Sequence, residues 1–166
     1  MYRKLDDFLA DLEAQREATL KVLGALTDAS LAQRVTPEGR TLGRLAWHLV
    51  GTLGEMPAAA GLATDASRAE EAVPAQTAAI AAAYRAASEA MEGAVRQCWT
   101  DGDLAAAVEL YGERWERGRV LRAVIDHENH HRGQMTVLMR QAGLPVPGVF
   151  GPSREEWAAL GLSVQE

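Results

Sequence analysis

The chain has 166 residues, 48% of them hydrophobic, which suits a single domain over 1–166 with its own core. Its formal net charge of −6 opposes phosphate backbones, so no nucleic-acid partner is expected. The lone Cys98 excludes an intrachain disulfide, no secretion signal opens the chain, and no apolar run approaches the ~18 to 20 residues that span a bilayer; the expectation is a soluble, cytoplasmic protein with no membrane partner.

Abundant alanine and only 5% aromatics favour closely packed helices. The first helix is expected from Leu5 to Leu26, where Leu5, Phe8, Leu9, Leu12, Leu20 and Leu23 recur at three- and four-residue steps. Asp6 and Asp7 in its opening turn suit the helix dipole. Residues 27–40, with Thr27, Asp28, Pro37 and Gly39, read as a connection. The second helix is expected from Thr41, a good N-cap, to Glu55, with Pro57 as its stop. Leu42, Leu45, Leu49, Leu53 and Met56 form its stripe, and His48 lies at the stripe's edge. Residues 58–73 read as a linker.

The third helix is expected from Pro74 to Cys98 or Trp99, through Ile80, Tyr84, Ala87, Met91 and Val95. Cys98 reads as core. Asp101-Gly102-Asp103 is a turn signal, and Val108 to Trp115 is either extended or a short hairpin about Tyr111-Gly112-Glu113. The fourth helix is expected from Arg117 to Gln141, ended by Gly143 with Pro145 and Pro147 beyond. Val120, Val124, His127, His131 and Leu138 share one stripe of it; Leu121, Ile125, Met135 and Met139 share the next. Gly133 weakens a helix, which predicts a neighbour packed closely against it. A short last helix, Ser153 to Leu160, carries Trp157 and caps the assembly; Trp47, Trp115 and Trp157 read as core or interface. Four amphipathic helices imply an all-α four-helix bundle.

Three of the four histidines fall within His127-Glu128-Asn129-His130-His131. Residues four apart on a helix share a face, so His127 and His131 point the same way. Burying two imidazoles without partners costs free energy, and a metal ion satisfies both. If His48 comes round to meet them, the site has three nitrogen ligands and open positions. A di-iron bundle needs two Glu-x-x-His copies, whereas only Glu128-x-x-His131 is present. His127-Glu128-x-x-His131 also matches the zinc-protease pattern, with Glu128 as base and Glu155 or Glu156 as a third ligand. No sheet edge is evident to align a peptide for that chemistry. Glu128 turns ~100° from the His127/His131 line and reads as a surface or ion-pairing residue.

His127-x-x-x-His131-Arg132-Gly133-Gln134, followed by Leu138-Met139-Arg140-Gln141-Ala142-Gly143, resembles the hallmark of the DinB-like superfamily, which includes thiol-dependent transferases of bacteria. Trp47-His48-Leu49 resembles the same family's histidine on its second helix. The resemblance covers most of the chain and is most specific in the fourth helix. It implies an up-down-down-up bundle, a divalent metal held by His48, His127 and His131, and a homodimer. Zinc, nickel or ferrous iron would each suit nitrogen ligands.

Around those ligands, Gln134 could orient a histidine or hydrogen-bond a bound water. His130 could support the site, face a dimer partner or face solvent. Arg132 could pair with an acid or meet an anionic substrate. The expected function is a metal-dependent transferase that activates a low-molecular-weight, bacillithiol-like thiol for attack on an electrophilic small molecule; the thiol rests on the resemblance alone. The alternatives are a non-catalytic, stress-related bundle that binds metal or a small ligand, and a metal-dependent hydrolase. Nothing in 99–117 assigns a substrate determinant.

Overall fold

A computed structural model describes residues 1–64 and 72–163. Four helices dominate: α1 (Leu5–Gly24), α2 (Leu42–Ala59), α3 (Thr77–Cys98) and α4 (Arg117–Gln141). Helix α1 packs against α3 and α4, and so does α2, leaving α1/α2 and α3/α4 across the diagonals. Phe8, Leu12, Leu49, Leu53, Ile80, Tyr84, Met91, Leu121 and Met135 fill the shared core.

Cross-helix hydrogen bonds give the directions. Tyr2 N–H donates to Gly118 O, and Arg132 reaches Gln15 and Thr19, so α1 and α4 run the same way. Leu5 N–H meets Asp101, and Arg16 meets Ser88 and Glu92, so α3 runs opposite to α1. Arg117 Nε donates to Ala60 O while His48 meets His127, so α2 runs opposite to α4. The order is therefore up-down-down-up. It places the first turns of α2 beside the second half of α4.

Several element ends depart from the sequence reading. Thr41 caps α2 by accepting from Arg44 N–H, as expected, but Pro57 does not stop it. The helix closes at Gly61 (φ +83°): Gly61 N–H donates to Ala58 O and Leu62 N–H to Pro57 O. Helix α3 starts at Thr77 rather than Pro74, because Asp28 accepts from both the backbone N–H and the hydroxyl of Thr77. The middle of the 58–73 linker, residues 65–71, lies outside the described residues.

Strands β1 (Ala107–Leu110) and β2 (Glu113–Glu116) pair antiparallel, from Ala107 opposite Glu116 to Leu110 opposite Glu113. Tyr111 and Gly112 both have positive φ, 54° and 76°, the conformation of a tight two-residue hairpin turn. The last segment forms two short helical turns, Arg154–Glu156 and Ala158–Leu160, rather than one helix. Cys98 is exposed, not core. Trp99 folds over the end of the α3 stripe instead, with Arg117 stacked on its ring at 4.7 Å.

Candidate metal centre

His48 projects from the second turn of α2, and His127 and His131 from successive turns of α4. The four-residue spacing aligns the α4 pair, and the antiparallel packing of α2 on α4 brings the third ring to them. His48 Nε2 stands 3.0 Å from His127 Nε2. Ring centroids lie 4.4 Å apart for His127/His131 and 4.7 Å for His48/His131. One nitrogen from each of the three rings falls within 4.8 Å of the others. Two nitrogens on one ion at ~2.1 Å stand roughly 3 Å or slightly more apart; the His48/His127 pair is at that separation, and with His131 beside it the group could hold a shared cation.

The electrostatics favour the neutral, ligating form. Burial, the other imidazoles and Arg40 hold His48 and His127 at about 4, below the ordinary 6.5; Arg44 adds to the effect on His48. Burial also lowers His131, against a raising contribution from its bond to Gln134. His131 Nδ1 meets Gln134 Oε1 at 2.7 Å, and Gln134 Nε2 meets His130 Nε2 at 3.1 Å. With the proton on Nδ1 donated to Gln134, His131 turns Nε2 toward the other rings. Gln134 therefore orients a histidine, and His130 faces solvent while holding Gln134.

A cavity of about 440 Å³ opens beside the cluster. His131, Gln134 and Arg40 give it polar walls, and Leu45, Val35 and Val137 apolar ones. Arg40 carried no signal in the sequence, because it lies in an irregular connection where periodicity says nothing about direction.

Two sequence expectations fail here, the surface reading of Glu128 and the close neighbour at Gly133, while the pairing of Arg132 with an acid is met through a bridging hydroxyl. Glu128 is not a surface residue: it is fully buried, accepting from the Tyr84 hydroxyl at 2.8 Å and the Thr19 hydroxyl at 3.2 Å. Burial pushes its carboxyl up, opposed by the Tyr84 bond and by Arg132. Arg132 meets neither an acid directly nor the cavity. It donates to Thr19 at 2.9 Å, Gln15 at 2.6 Å and Asn129 at 2.5 Å, and Thr19 links it to Glu128. The gap in the apolar stripe Leu121, Ile125, Met135, Met139 was the available signal, since Glu128 and Arg132 occupy its two central positions. Gly133 has no neighbour close to it; it faces solvent, and its carbonyl accepts from the Thr136 hydroxyl.

The zinc-protease arrangement also fails, because Glu128 is committed to α1 and α3. Glu155 pairs with Arg140 at 3.1 Å, and Glu156 accepts from the Gly148 and Ser153 backbones. Trp47 is buried as expected, with no hydrogen-bond partner for its indole N–H among the described residues.

Comparison with known proteins identifies the family and the fold. A sequence model of the DinB family matches residues 1–166. The uncharacterized protein YrdA of Bacillus subtilis strain 168 is 45% identical over 162 residues, 98% of this chain and 97% of YrdA. The crystal structure of a DinB-like protein from Bacillus cereus ATCC 10987 superposes with a TM-score of 0.86 at 41% identity, covering 90% of this chain and all of that one. A second, the DinB-like protein YjoA of Bacillus subtilis, has a TM-score of 0.69 at 15% identity over 86% of this chain and 97% of its own, a likeness of fold alone.

Proposed function

The chain belongs to the DinB family, and from that premise we propose that it is a metal-dependent transferase acting on a low-molecular-weight thiol and an electrophilic small molecule. The observation that carries the reading is the convergence of His48, His127 and His131 at the edge of an open cavity. These three side chains would hold a divalent ion: zinc, nickel or iron. Such an ion supplies positive charge that lowers the pKa of a bound thiol.

The chain's own residues do the rest. His48, His127 and His131 stay neutral at physiological pH and so are free to ligate. Gln134 fixes the ring of His131. Leu45 and Val137 present apolar surface on which the body of a substrate can rest. The chain's cysteine, Cys98, ends α3 where α1 and α4 begin, far from the cavity, so the nucleophile comes from the cosubstrate. The transfer forms a carbon–sulfur bond, breaks the bond to the electrophile's leaving group, and releases the thiol's proton to solvent. The family resemblance also supports a homodimer, which sedimentation at micromolar concentration tests.

Monochlorobimane and a panel of small biological thiols test the activity directly. The reading expects metal-dependent conjugation above the uncatalysed rate, lost in His127→Ala. No acceleration with any thiol, despite bound metal, would sink it and leave a non-catalytic metal-binding bundle.

A further inference from the structure

The cavity beside the histidines holds a charge that the proposed chemistry leaves unused. Arg40 ends the connection before α2, one residue ahead of the Thr41 cap, and its side chain lines the cavity with His131 and Gln134. It is exposed and has neither a hydrogen bond nor an acidic partner among the described residues. Its positive charge reaches all three imidazoles, disfavouring protonation of each. It is the one formally charged side chain among the described lining residues; Leu45 and Leu138 line the cavity too, and Val35 and Val137 expose 64% and 53% of their surface.

A guanidinium presents a planar fork that matches a carboxylate, and an unpaired one at a cavity mouth is ready to accept an anion. Arg40 is the charge the protein itself offers in the cavity wall and can pair one carboxylate, and the chain's net charge of −6 works against a polyanion. The exposed valines suit an apolar body rather than a sugar-like one.

We propose that the cavity takes a small molecule bearing one carboxylate, held by Arg40, with its apolar body against Val35, Leu45 and Val137. The assignment rests on the transferase reading of the same site and adds to it which substrates are chosen. The carboxylate belongs to the thiol or to the electrophile, and the two sources separate experimentally.

Two matched pairs serve as probes in calorimetric titrations. One is 2-mercapto-3-phenylpropionate against its methyl ester; the other is 3-phenylpropionate against 3-phenylpropanamide. Each is titrated into zinc-loaded wild type, Arg40→Gln and Arg40→Lys, with zinc content measured on the same samples. The wild type is expected to prefer the acid by about five- to tenfold in at least one pair, the range of a charge-assisted contact at a half-open site. Arg40→Gln abolishes the preference without changing zinc content or ester affinity, and Arg40→Lys keeps part of it. A preference in the thiol pair places the carboxylate on the thiol; a preference confined to the other pair places it on the electrophile.

Equal affinity of acid and neutral partner in both pairs, a preference that survives in Arg40→Gln, or no binding by either acid would overturn the assignment. Failure of the methyl ester thiol to bind zinc-loaded protein would instead count against the transferase reading. The 3-phenylpropionate pair still decides Arg40 in that case.

Discussion

At the residue scale the site depends on keeping three imidazoles neutral and aimed. Gln134 holds His131 through Nδ1, so Gln134→Leu should free the ring and weaken metal affinity by about tenfold, the usual effect of losing such a support. Competitive chelator titration measures this, and an unchanged affinity would remove Gln134 from the site. The same neutrality sets a pH response. In the metal-free protein His48 and His127 titrate at about 4, below the 6.5 of the free side chain, so the unfolded chain takes up protons first as pH falls. Stability of the metal-free protein should therefore decline between about pH 6.5 and 4, and His48→Ala should flatten that decline in thermal melts. A slope unchanged by the substitution would contradict the lowered values. The α4 pair was legible in the sequence because a four-residue spacing fixes relative direction. Arg40 and the burial of Glu128 were not legible, since one sits in an irregular connection and the other's partners, Tyr84 and Thr19, come from other helices.

At the element scale, periodicity identified all four helices, while their ends were set by contacts distant in sequence. Asp28 starts α3, Asp101 receives the first N–H of α1, and Gly61 rather than Pro57 closes α2. A proline near the end of a helix removes one N–H but leaves its own carbonyl available, and here Leu62 uses it. The start of α4 shows a tight approach of backbone to backbone. A Cβ on Gly118 would sit 2.3 Å from Tyr2 O, the backbone that Gly118 O itself receives through Tyr2 N–H. Gly118→Ala should force the two segments apart and cost ~1 to 3 kcal/mol, readable by denaturant unfolding. A fully stable variant would show that the N-terminal segment is not held there.

At the scale of the whole molecule, the up-down-down-up order does the assembling. It sets α2 antiparallel to α4, so that residues 79 apart, His48 and His127, come within 3.0 Å. On the neighbouring face of α4, ~100° round the helix, Glu128 and Arg132 tie that helix to α1 and α3 through Thr19, Gln15 and Tyr84. Glu128→Ala would leave Arg132 buried without its counter-charge and should destabilise the bundle by ~3 kcal/mol or more, measured by thermal or denaturant melts. A near-neutral effect would mean that the network adds little. The bundle itself was legible from four stripes, and the family resemblance supplied the helix order. The buried polar network was not, because two charged residues in an apolar stripe are satisfied only by partners that the fold brings in.

The convergence of α2 and α4 on one cation is tested most directly by elemental analysis of the purified protein and of His48→Ala, each equilibrated with the same divalent metal and desalted. The account predicts one tightly held ion per chain in the wild type and its loss in the variant, with the helical content of both unchanged. Full metal retention by His48→Ala would contradict it and leave only the α4 pair.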